Sequence, residues 1–194
     1  MPISRISASV FYFAAVLAAA CLPATKTVAQ GGSSPASLVI LVRHADKATT
    51  PSDDPGLTPA GLERARTLAT ALRDAAVSTI ITTQFRRARE TAQPLSDQRR
   101  ITPEIVPVGS PAELGAHVAA VVETVRRHPG ETVVVVGHSN TIPPLIAALG
   151  GPRVSDICES SYGRLFVITS VVGSARLVEA RYGAADPAPG PDCR

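Results

Sequence analysis

The sequence predicts an α/β fold, a three-layer α/β/α sandwich around a mostly parallel central sheet. Two continuous aliphatic runs, Leu38-Val39-Ile40-Leu41-Val42 and Val133-Val134-Val135-Val136, have the composition of strands buried on both faces. Segments of helical periodicity alternate with strands along the chain, as a layered parallel sheet requires. The length, 194 residues, suffices for one domain with a full core.

The amino terminus, residues 1–29, reads as an export signal. Arg5 supplies the basic start, and Val10 to Leu22 is apolar but short for a bilayer span. Cleavage is expected after Thr27-Val28-Ala29. The alternatives are a lipobox, Ala18-Ala19-Ala20-Cys21, with a lipid on Cys21, or a retained anchor helix. Each places the domain outside the cytoplasm, in the periplasm or beyond. Any membrane association is expected only through this segment or a lipid on Cys21.

Residues 30–37 form a Gly/Ser linker, and residues 38–183 form the domain. Strand Leu38–Val42 is followed by a loop over Ala48 to Gly56. Thr58 as N-cap and Pro59 at the first helical position open a helix. Leu62, Ala65, Leu68, Ala69 and Leu72 form its expected buried stripe. Ser78–Thr82 is a short strand, and Arg86 to Asp97 a helix facing inward through Ala88, Thr91, Ala92 and Leu95. Ile105 to Val108 is a further short strand. Pro111 to His128 is an amphipathic helix stopped by Pro129-Gly130, with His117 on its exposed face. Thr132 to Val136 is the second core strand, and Thr141 to Leu149 the last sheet-packing helix. Leu165 to Ser170 and Ala175 to Tyr182 alternate as a hairpin around Gly173. Residues 184–194 are a Pro-rich, irregular tail.

Each long aliphatic run ends on a histidine. Arg43-His44-Ala45-Asp46 follows the first, and Gly137-His138-Ser139-Asn140 the second. In parallel sheets the ligand crevice lies outside the carboxyl ends of the strands. One arginine and two imidazoles therefore meet in one crevice, which suits a phosphoryl group. A guanidinium can grip two of its oxygens, and a neutral imidazole can attack phosphorus. A second arginine is expected from Arg86, Arg87 or Arg89, where amides at the helix start would add to the anion site.

These motifs resemble those of the histidine phosphatase superfamily, also called phosphoglycerate mutase-like. Its Arg-His-Gly corresponds to Arg43-His44-Ala45, with Ala45 in place of glycine. Its second motif is similar to Thr82-Thr83 with Arg87-Ala88 and Thr91-Ala92, and its third to Gly137-His138. The Leu57-Thr58-Pro59-Ala60-Gly61 helix start also resembles it. The likeness spans roughly Leu38 to Tyr182. It implies His44 as a nucleophile that becomes phosphohistidine, with Arg43, Arg87 and His138 holding the phosphoryl oxygens. It implies hydrolysis without a metal or other cofactor. Asn140 is a further candidate for substrate binding. Many members carry a glutamate proton donor after the second motif; Glu104 is the positional candidate, with Glu113 and Asp46 behind it. Without a donor, good leaving groups such as phosphoramidates or anhydrides would be favoured.

The expected activity is an extracytoplasmic phosphatase acting on a small phosphorylated substrate. The alternative is a secreted pseudophosphatase that binds such ligands without turnover. Gly137-His138-Ser139-Asn140-Thr141 also resembles the nucleophile elbow of serine hydrolases, but its last glycine is missing and no histidine follows His138. Nucleic acid is an unsuitable partner. Once Arg5 and Lys26 are removed with the leader, 17 basic residues face 16 acidic ones. Cys158 and Cys193 are then an even pair in an oxidising compartment and are expected to be bonded, the alternative being two free thiols.

Overall fold

Strands β1 (Ser37–Arg43), β2 (Val77–Thr82), β3 (Glu104–Ile105), β4 (Thr132–Gly137), β5 (Arg164–Ser170) and β6 (Arg176–Arg181) form one sheet, ordered β3-β2-β4-β1-β5-β6. The structure, a computed structural model, describes residues 36–170, 175–188 and 193. Residues 1–29, with Cys21 and the expected export signal, most of the 30–37 linker, the turn at Gly173 and the remaining tail residues lie outside the described residues. The four strands from β3 to β1 run parallel, and β5 and β6 complete the sheet antiparallel. The terminal hairpin therefore has the strands that its alternation predicts.

Side chains of β1 and β4 alternate between two cores, because successive residues of a strand face opposite sides. Val39, Leu41, Val133 and Val135 pack against α3 (Leu114–Arg126) and α4 (Ile142–Ala148). Ile40, Val42, Val134 and Val136 pack against α1 (Pro59–Ala71) and α2 (Arg86–Arg99). Both faces are covered, which is why these runs need no polar alternation. The architecture is the expected three-layer α/β/α sandwich. Among the described residues, no helix is long and apolar enough to cross a membrane.

The ladder sets the site. Arg43 pairs with Gly137 and Thr82 with Val136, so β1, β2 and β4 end at one level. His44, Thr83 and His138 follow immediately. Loop 48–56 returns to α1 through Thr58, whose Oγ1 accepts from Gly61 N at 3.1 Å as the predicted N-cap.

Three local expectations are corrected. Leu62 is 40% exposed, and Arg64 takes its place on the buried stripe. Its guanidinium bonds Asp46, the carbonyls of Tyr182 and Ala184, and Asp186, so burial is matched by partners. The expected strand Ile105–Val108 shrinks to Glu104–Ile105. Beyond it, the Gln84 side chain stands in for a strand, donating to Val108 O at 2.8 Å and accepting from Val108 N at 2.9 Å. His117 is buried, with Nδ1 2.9 Å from Pro107 O.

Candidate active site

His44 and His138 lie face to edge beyond the paired ends of β1 and β4, with ring centroids 5.3 Å apart. The backbone N–H of His44 donates to Gly137 O at 2.9 Å, which carries the strand pairing one residue into the site. His44 Nδ1 is 2.8 Å from Ala45 O. A carbonyl only accepts, so Nδ1 carries the hydrogen and Nε2 keeps the lone pair. Burial holds the His44 pKa down at about 3, opposed by the Ala45 bond and reinforced by the charges of Arg43, Arg87 and Lys47. Burial likewise lowers His138 to about 3, with His44 and Arg87 adding to the effect. Both imidazoles are neutral at neutral pH.

His138 Nε2 lies 2.9 Å from Thr83 Oγ1, and its ring meets Phe85 edge-on at 5.5 Å. Thr91 Oγ1 accepts from Ala45 N at 2.9 Å, which ties α2 to the turn after β1. A cleft of about 390 Å3 opens beside the histidines, lined by His44, Lys47, Phe85, Arg87, His138 and Glu159 among others. Val108, Gly109, Ser139 and Asn140 complete its rim. A larger cleft of about 610 Å3, near Cys158 and the tail, contains neither histidine. We assign function to the smaller one because the chemistry converges there. Among the described residues, no three His, Cys, Asp or Glu side chains converge as a metal site would require.

Residues 39–108 match the sequence profile of the "Histidine phosphatase superfamily (branch 1)", a stretch holding the Arg43-His44 and Arg87 motifs. Over this stretch the chain is similar to that superfamily. The histidine phosphatase fold extends beyond that stretch. The structure of the protein histidine phosphatase SixA complexed with tungstate aligns with TM-score 0.60 at 20% identity, covering 74% of this chain and 96% of that one. That of mycobacterial glucosyl-3-phosphoglycerate phosphatase aligns with TM-score 0.56 at 18% identity, covering 77% and 100%. No curated protein matches the chain.

The superfamily motifs are placed unequally around the cleft. Of the three candidate arginines, Arg87 lines it, with its guanidinium 4.3 Å over the Phe85 ring and its Nε buried without a partner. Arg86 pairs instead with Glu90, and Arg89 is exposed. The helix start is not free for an anion: Asp54 Oδ1 accepts from Arg86 N at 2.9 Å. Asn140 is at the rim, as the sequence places it.

Arg43 departs from expectation. It is 1% exposed and does not line the cleft. Its Nη1 donates to the carbonyls of Cys158, Glu159 and Ser161 at 2.7, 2.9 and 3.1 Å. Its Nη2 donates to Glu159 Oε2 at 2.7 Å, and Tyr162 stacks on the guanidinium at 4.2 Å. The segment after α4 therefore claims the donors that a phosphoryl group would use.

Glu104 is also corrected as the proton donor. It faces the end of α3, pairing with His128 Nε2 at 2.7 Å and Arg127 at 3.2 Å, and it does not line the cleft. The alternates fare no better: Glu113 caps its own helix start through Ser110, and Asp46 binds Arg64. Sequence reasoning missed Glu159, the carboxylate that does line the cleft. Its one signal was position, beside Cys158. Cys158 and Cys193 are bonded, with Cα atoms 5.4 Å apart.

Proposed function

We propose that the protein is a phosphatase that transfers a phosphoryl group to His44 and then to water. The observation that carries this reading is the His44 tautomer: Nδ1 is fixed on Ala45 O, and Nε2 keeps its lone pair beside the cleft. Nε2 attacks phosphorus, and the bond to the leaving group breaks with its electron pair. Water then attacks the phosphohistidine, the N–P bond breaks, and inorganic phosphate departs. Arg87, Lys47 and His138 line the same cleft and would hold the phosphoryl oxygens.

The substrate class follows from the state of Glu159, the one carboxylate that lines the cleft among the described residues. Burial works to raise the Glu159 pKa, but the Ser139 hydroxyl and the charges of Arg43 and Lys47 outweigh it and hold the pKa below the usual value. It is ionised at neutral pH and offers no proton. Small substrates with good leaving groups, such as phosphoramidates, anhydrides or aryl phosphates, therefore suit the site better than alkyl esters. Release outside the cytoplasm fits the amino-terminal leader and a bonded cysteine pair.

A second reading, a phosphate-binding pseudophosphatase, draws on the occupied donors of Arg43. One experiment separates the two. Brief exposure to a labelled aryl phosphate should leave acid-labile label on the wild type and none on His44→Ala. Turnover should fall by about 10³-fold or more, as expected for loss of a covalent nucleophile. Equal labelling of both proteins sinks the phosphohistidine reading. Tight phosphate binding without label or turnover favours the pseudophosphatase.

A further inference from the structure

We infer that Glu159 is a displaceable internal anion that determines how strongly the cleft takes phosphoryl groups. The inference rests on the cleft being an anion site, as proposed above, and does not require turnover. Glu159 Oε2 accepts from Arg43 Nη2 at 2.7 Å, and Oε1 accepts from Ser139 Oγ at 2.6 Å. The carboxylate thereby engages a guanidinium and a hydroxyl, two of the donor types that bind phosphoryl oxygens.

The two ends of this contact differ in fixity. Arg43 is 1% exposed and anchored through Nη1 by three backbone carbonyls. Glu159 is 74% exposed. Among the described residues, Nη2 has no hydrogen-bond partner other than this carboxylate. When Glu159 swings into solvent, Nη2 is freed while the rest of the guanidinium stays in place. Water can solvate the exposed carboxylate once it leaves, but the buried Nη2 then needs another acceptor. A phosphoryl dianion can be that acceptor, and its contacts with Arg87 and Lys47, which line the same cleft, favour it over the carboxylate.

Glu159 also offsets positive charge. With both imidazoles neutral, Arg43, Arg87 and Lys47 are the cations whose charges act on His44. The carboxylate cancels one of them while the cleft is empty of substrate and opposes every anion that enters. Its role is thus specificity, acting through Arg43, rather than proton transfer.

The test is titration calorimetry with inorganic phosphate and with vanadate on the full mature protein, wild type against Glu159→Gln and Glu159→Ala. Thermal melts establish that each variant is folded. Both variants should bind about three- to tenfold tighter, the range expected for losing one screened charge contact and its repulsion. KM for an aryl phosphate should fall by a similar factor. Unchanged or weaker anion binding in both variants overturns the inference. So does a fall in kcat on alkyl phosphates at constant KM, which would make Glu159 the proton donor. Absence of anion binding in all three proteins overturns it as well. Tighter binding without turnover would sink the phosphatase reading and leave this one standing; turnover with equal affinities would do the reverse.

Discussion

Acid should unfold this domain through the two buried histidines of its cleft. Their folded pKa values are both depressed to about 3. An unfolded imidazole takes a proton near its ordinary value, about 6.5. Between those limits the unfolded chain binds more protons, so stability is intact above about pH 6.5 and falls as pH drops toward 3. At about pH 5, protonating one unfolded imidazole favours unfolding by about 2 kcal/mol, so the pair accounts for about 4 kcal/mol. That figure hardly depends on how far below 5 the folded values lie. It is a large share of the roughly 5–15 kcal/mol that holds a domain folded. Urea midpoints followed by circular dichroism at about pH 7.5 and pH 5 would measure it in wild type, His44→Asn and His138→Asn. Each variant should lose about half of the wild-type drop attributed to the pair. His117, also depressed by burial, is common to all three proteins and cancels in the comparison. Variants with the full wild-type drop would refute the assignment of buried neutral imidazoles.

The remaining predictions concern the framework. Replacing Cys158 and Cys193 by serine opens a loop spanning 35 residues. Loop-closure entropy puts the loss at about 3.8 kcal/mol, measured by urea melts of the variant and of reduced wild type; a loss below about 1 kcal/mol would mean the tail is held elsewhere. Gly61→Ala should destabilise by about 1–3 kcal/mol, since its new Cβ would collide with the Asp46 carbonyl that receives α1. A melting temperature unchanged by this substitution would show that the junction yields freely.

What was legible in the sequence was what strand pairing dictates. His44 and His138 follow aliphatic runs that can only be buried parallel strands, so their meeting follows from the ladder of β1 with β4. Spacing alone offered Arg86, Arg87 or Arg89, because the turn of α2 decides which arginine faces inward, and the resemblance singled out Arg87. The misses share a different cause. Arg43, Arg64 and Glu104 are polar groups whose partners lie more than fifteen residues away. Segment 157–162, which claims Arg43, has no periodicity to announce it. The expected apolar stripe omits Arg64, and only the distant Asp46 and Asp186 make its burial possible. Glu104 was chosen by position along the chain, and a two-residue strand carries too little geometry to fix where its side chain goes.

The placement of the cations couples binding to reactivity. Arg43, Arg87 and Lys47 lower the His44 pKa, and Arg87 and Lys47 line the cleft where an anion would sit. The field that would attract a phosphoryl group thus also disfavours protonation of His44, the proposed nucleophile. An entering anion weakens that field at the moment the lone pair is needed. Burial, the largest cause of the depression, is what makes this harmless. It keeps His44 neutral without the cations' help, because desolvation penalises the imidazolium whatever occupies the cleft. Glu159 can therefore neutralise part of the field without protonating His44. The cleft can tune its anion affinity through a surface carboxylate because the charge state of His44 is set by the core.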